Sequence, residues 1–150
     1  MKQFLLALLI ACTARLNGQV AVSYFPFQDV LSLSSNPDRL LWADLGAETN
    51  TFFSNVNFEA SCMLNLRRNT SASYYCGAGI SVNPFFNLKG LQPVNGYALK
   101  IGTRIKPFKD HRGVQLVFEI SPYVNSYLDG GLLRTMLGIA YNFSGQKKAD

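Results

Sequence analysis

Apolar and polar residues alternate over long stretches of this chain, most clearly from Asn55 to Asn83. On the first arm Val56, Phe58, Ala60, Cys62, Leu64 and Leu66 share one face. Asn57, Glu59, Ser61, Asn65 and Arg67 share the other, with Met63 the one apolar residue among them. On the second arm Ala72, Tyr74, Cys76, Ala78, Ile80 and Val82 alternate with Ser73, Tyr75, Gly77, Gly79, Ser81 and Asn83. Successive side chains of a strand point to opposite faces, so this period predicts two strands. Arg68-Asn69-Thr70 forms the tight turn between them. Length adds the decisive information. Each arm runs to about a dozen residues, against ~5–6 for an ordinary strand and the ~9–11 that a tilted strand needs to cross a bilayer. The expectation is a transmembrane β-barrel.

The same pattern recurs along the chain. Leu40 to Asn50, Gly96 to Phe108, Val114 to Asn125 and Gly131 to Phe143 read as strands, with Val117 out of pattern in the third. Two shorter runs precede them, Gln19 to Phe27 and Val30 to Ser35. Counting both gives an antiparallel up-and-down barrel of eight strands; a six-stranded wall with an N-terminal extension is the alternative. Bacterial barrels have even strand numbers and keep both termini in the periplasm. That convention puts the turns at 36–39, 68–70 and 109–112 inside and those at 51–53, 84–94 and 128–130 outside. Pro122 interrupts its strand and belongs at a bulge or near the rim.

Side-chain size assigns the faces. The polar face is rich in small residues, among them Gly46, Gly77, Gly79, Ser81, Gly102, Gly138 and Ala140, whereas the apolar face is bulky. An eight-stranded barrel is just wide enough for side chains to fill, so the crowded interior takes the polar face and the bulky face meets lipid. The lumen then holds Asp44, Glu48, Glu59, Lys100, Arg104, Glu119 and Arg134. With a tight turn at 109–112, Glu119 faces Gly102 and has Lys100 and Arg104 as diagonal neighbours; Gly102 and Gly138 leave room for the long cations. A mixed-sign, hydrogen-bonded cluster is tolerable where a lone buried charge is not, so an ionic plug is expected in place of an open pore.

Composition fits this picture. The chain is 48% hydrophobic and 15% charged, against ~25% charged in ordinary soluble domains. Lys2 followed by the apolar run Phe4 to Ala11 resembles a secretory signal, giving a signal peptide over 1–18, a barrel over 19–143 and a polar periplasmic tail over 144–150. Cleavage after Ala14 or Gly18 fits equally, and acylation at Cys12 is the rival. Removing Lys2 and Arg15 from the 14 basic and 9 acidic residues leaves a net charge of +3. No basic run or motif points to nucleic acid.

Candidate chemistry is sparse. Cys62 and Cys76 fall opposite each other if Asn69 centres the turn, within disulfide reach; two small apolar residues facing lipid is the plainer reading. They lack the further ligands a metal site needs, and no cofactor motif is present. His111, the single histidine, reads as a solvated turn residue. Phe85, Phe86, Leu88 and Leu91 in the longest loop are candidate outer contacts or part of an aromatic belt.

The last strand, Leu137-Gly138-Ile139-Ala140-Tyr141-Asn142-Phe143, resembles the C-terminal signal of Gram-negative outer-membrane proteins, in which an aromatic closes an alternating strand. The resemblance makes Tyr141 and Phe143 the assembly signal and the barrel-assembly machinery a partner, although seven residues follow Phe143. In size the chain is similar to the eight-stranded OmpA-like and OmpX-like barrels. That likeness implies location in the cell outer membrane, contact with its lipid, and a non-enzymatic structural or interaction role, with another envelope protein as partner. Two other functions compete: a membrane-embedded enzyme acting on lipid A, and a secreted soluble lipocalin-like barrel.

Overall fold

The computed structural model describes residues 20–48, 56–84 and 92–143. The expected signal peptide, the outer-loop residues Phe85, Phe86, Leu88 and Leu91, and the polar tail lie outside the described residues. Eight antiparallel strands form a closed barrel in chain order: β1 (Ala21–Phe25), β2 (Val30–Ser34), β3 (Leu41–Glu48), β4 (Phe58–Arg68), β5 (Ala72–Val82), β6 (Val94–Ile105), β7 (Val114–Asn125) and β8 (Gly131–Asn142). Eight is therefore correct, and the two short N-terminal runs are wall strands.

Register fixes the shape. Crossing paired residues from Gly131 leads through Val124, Tyr97, Ile80, Ala60, Leu45, Leu33 and Val22 back to β8 at Tyr141, ten residues along. Eight strands with that shear tilt by roughly 40°. A twelve-residue strand such as β7 then rises ~30 Å along the axis, while the five residues of β1 or β2 rise ~12 Å. The wall is accordingly low at β1 and β2. β8 pairs with β1 only over Ile139–Asn142. Above that, among the described residues, the free side of β8 meets a side chain: Gln28 donates from Nε2 to the Thr135 carbonyl at 2.6 Å.

Faces divide as size predicts. Inward positions are buried, including Ser23, Ser34, Asp44, Met63, Tyr75, Val117 and Ser121. Outward positions are exposed and apolar, including Leu33, Leu45, Leu64, Ile80, Leu99, Ile120 and Ile139. Pro122 produces a gap and no bulge. Ala98 pairs with Tyr123 and Ile101 with Ile120, with one continuous register and no pair between them.

The expected disulfide geometry is not present. One register holds from Phe58 to Asn65 and shifts between Asn65 and Arg67, so Cys62 faces Ala78 and Cys76 faces Leu64. The turn is centred between Thr70 and Ser71 and not on Asn69, a difference of three in register of which the irregularity takes back one, so every pair beyond it is displaced by two. Diagonal neighbours lie ~7–8 Å apart, beyond the usual disulfide range of ~4.4–6.8 Å between Cα atoms, and both cysteines are free.

Candidate functional site: the packed lumen

Lys100 on β6 is the centre of the lumen. Its Nζ lies 2.8 Å from Glu59 Oε1, 3.6 Å from Asp44 Oδ2 and 3.6 Å from Glu119 Oε1. Four strands thus converge on one ammonium. Each carboxylate is held again from behind. Ser32 and Ser34 donate to Asp44 Oδ1, Tyr75 donates to Glu119 Oε2 at 3.0 Å, and Arg134 reaches Glu59 Oε2 at 2.7 Å. Arg134 also donates to Ser121 Oγ and lies over the Tyr123 ring. Strand alternation puts these groups in the lumen; register puts them at the same level.

Register bears out one pairing read from the turn length, Glu119 opposite Gly102 with Lys100 beside it. The other expected members divide. Arg104 joins no carboxylate among the described residues: its guanidinium lies over Trp42 at 4.8 Å and Tyr75 at 5.9 Å and donates to Ser34 Oγ at 3.1 Å. Glu48 stands at the rim and accepts from Asn57 Nδ2 at 2.8 Å. The glycines also serve a different purpose from the one expected. A Cβ on Gly102 would meet the Tyr75 ring at 2.5 Å, and one on Gly138 would meet Phe25 at 2.6 Å. They make room for aromatic rings, because a planar ring needs a flat floor that a flexible lysine or arginine does not.

Two features were not anticipated. An apolar layer of Phe25, Trp42, Met63, Tyr75, Val117, Met136 and Ala140 packs within the polar face; Met63 and Val117, which break the alternation, are its visible trace in the sequence. The β2–β3 turn also folds under the barrel, burying Pro37. Asn65 donates to the carbonyls of Pro37 and Arg39. Asp38 receives Lys106 at 2.8 Å and Asn142 at 2.9 Å. A four-residue turn carries no periodicity, so only the distant residues that hold it reveal its position.

Little space remains. A cavity of about 30 Å³ lies among Trp42, Asp44, Glu59, Lys100, Arg134 and Met136, room for about one or two waters. His111 is exposed in the β6–β7 turn, at the end carrying Val20 and Phe143. Tyr141 and Phe143 stand outward, in edge-to-face contact at 4.8 Å. The chain matched no protein-family model, no curated protein and no solved structure.

Proposed function

We propose that this protein is a small non-enzymatic barrel of the bacterial outer membrane, with its lumen closed to solutes, acting as an envelope structural or interaction protein through its outer loops. One observation carries the reading. Apart from Arg67 and Arg68 at the end of β4, the outward positions of the eight strands bear no charge. They form a belt of exposed Leu, Ile, Phe and Tyr around the whole barrel. Soluble monomers rarely expose apolar patches beyond a few hundred Å². A soluble ligand-binding barrel would have the opposite polarity, with an apolar interior.

Dimensions and charge agree. The ~30 Å rise of a twelve-residue strand matches a ~30 Å hydrocarbon core. Exposed aromatics occur towards both ends, with Tyr74, Phe108, Tyr141 and Phe143 at one and Phe27, Tyr97 and Tyr127 at the other, as interfacial girdles do. Charged turn residues also lie at the ends: Arg39, Lys109 and Arg112 at the first, Asp29 and Asp129 at the second. The interior network favours a structural role, since every lumen carboxylate at its centre is engaged by a cation or a hydroxyl donor.

Cell fractionation with a detergent gel tests the reading. The protein should sediment with outer membranes, require detergent for extraction, and migrate faster unheated than boiled. Recovery in the soluble fraction without detergent would overturn it.

A further inference from the structure

Among the described residues, β8 is paired on one side only along its outer half. Asn142 donates its N–H to Gly113 on the β7 side and Phe143 donates to Val20 on the β1 side. The even residues of β8 therefore bond to β7, and the odd ones turn their backbone groups towards β1. The β1 ladder ends with Tyr24 opposite Ile139. Its next bonding position would set Pro26 opposite Leu137, and proline has no N–H to give. Of the N–H and C=O groups on Gly131, Leu133, Thr135 and Leu137, one alone is met among the described residues: the Thr135 carbonyl, by Gln28 Nε2. Gln28 Oε1 is itself buried without a donor. A side-chain amide thus stands where the N–H of a further strand would be, and it fills that single position.

We propose that this open edge of β8 is a docking site for an extended segment of another envelope protein, added to the wall as a strand from the outer side; the proposal rests on the outer-membrane reading above. Backbone chemistry selects the occupant. At ~3.4 Å per residue and a tilt of ~40°, Leu133 and Thr135 lie about 5–10 Å below the outer end of β8. Hydrocarbon offers no water to bare N–H and C=O groups, and a second extended backbone satisfies them. A helix cannot, because its own N–H and C=O groups are already bonded within it. A second copy inserted in the same direction cannot either. An axis along the membrane normal would tilt its β8 by ~40° in the opposite sense, so the two edges would cross at roughly 80°. Gly131 to Thr135 takes a strand of about five residues, ~14 Å long. Leu133 and Thr135 face outward and Arg134 inward, so the segment is apolar where it faces lipid and polar beside Arg134. Gln28 swings aside to admit it.

The test is amide hydrogen exchange, followed by NMR, on the full protein folded in phospholipid bicelles. The probe is a synthetic nine-residue peptide with valine at every second position and threonine or aspartate between. It should slow exchange at Leu133 and Thr135 at least ten-fold and leave Ile80 on β5 unchanged. The same peptide N-methylated along its bonding edge should slow neither. Thr135→Pro removes a donor on the open side and none on the β7 side, and should weaken peptide binding at least ten-fold. If that variant does not show the migration shift of a folded barrel, the N-methylated peptide carries the test. Unchanged exchange with the peptide, or equal slowing by its N-methylated form, would overturn the site. So would Leu133 and Thr135 amides as slow as Ile80 in the protein alone, the mark of an edge covered by its own chain, or a dimer whose dissociation releases them. In each of these cases a protein that still needs detergent leaves the membrane reading standing. One that is soluble without detergent would overturn both.

Discussion

Lys100 lies among Asp44, Glu59 and Glu119 as a cation lies among its ligands, and its removal exposes what it offsets. Lys100→Met should cost about 3–5 kcal/mol, because three buried carboxylates lose their common partner. The urea midpoint should fall accordingly, and adding Glu119→Gln should restore part of the loss. Gly102→Ala tests packing at the same level. The new methyl would meet both the Tyr75 ring and the Phe118 carbonyl, and about 1–3 kcal/mol of overpacking follows. At the far turn Leu128 holds φ near 61°, a left-handed conformation costing a branched residue ~1–2 kcal/mol. Leu128→Gly should raise the thermal midpoint, its gain reduced by the extra entropy glycine brings to the unfolded chain.

The elements differ in how firmly they are held. β7 and β8 pair along almost their whole length, whereas β1 holds β8 through four residue pairs. Gln28 supplements that short seam from the β1–β2 turn. Gln28→Ala should therefore cost about 1 kcal/mol and speed amide exchange in the upper half of β8, with exchange in β5 unchanged. The β2–β3 turn is an element in its own right despite its length. It was legible as a turn from Asn36-Pro37-Asp38, but its burial depends on Asn65, Lys106 and Asn142, which lie up to 104 residues away. Asp38→Ala should release it, raising amide exchange at Arg39.

At the scale of the whole molecule, two surfaces of opposite character result from a single alternation. The outward belt is mostly apolar and the interior is polar with an apolar layer. On the proposed reading the lumen network blocks solute passage, so planar bilayers containing the protein should show no steady conductance. A stable open channel would contradict the plug. Cys62 and Cys76 should both titrate as free thiols in denatured, unreduced protein, since the register separates them.

The sequence by itself determined the six long strands, their alternation and their order, because period-two patterning and turn residues are local properties; that the two short N-terminal runs complete the wall was decided by closure of the barrel. It also determined which residues enter the lumen, since a crowded narrow interior selects small side chains. Only the tertiary structure decided which of those residues meet. The shear of the barrel and the true centre of the β4–β5 turn set the levels of Lys100, Arg104, Cys62 and Cys76, and a shift of two residues keeps a side chain on its face while changing every partner it has. Ring packing then assigned Arg104 to Trp42 and Tyr75, away from the carboxylates, because a flat guanidinium stacks on an aromatic face.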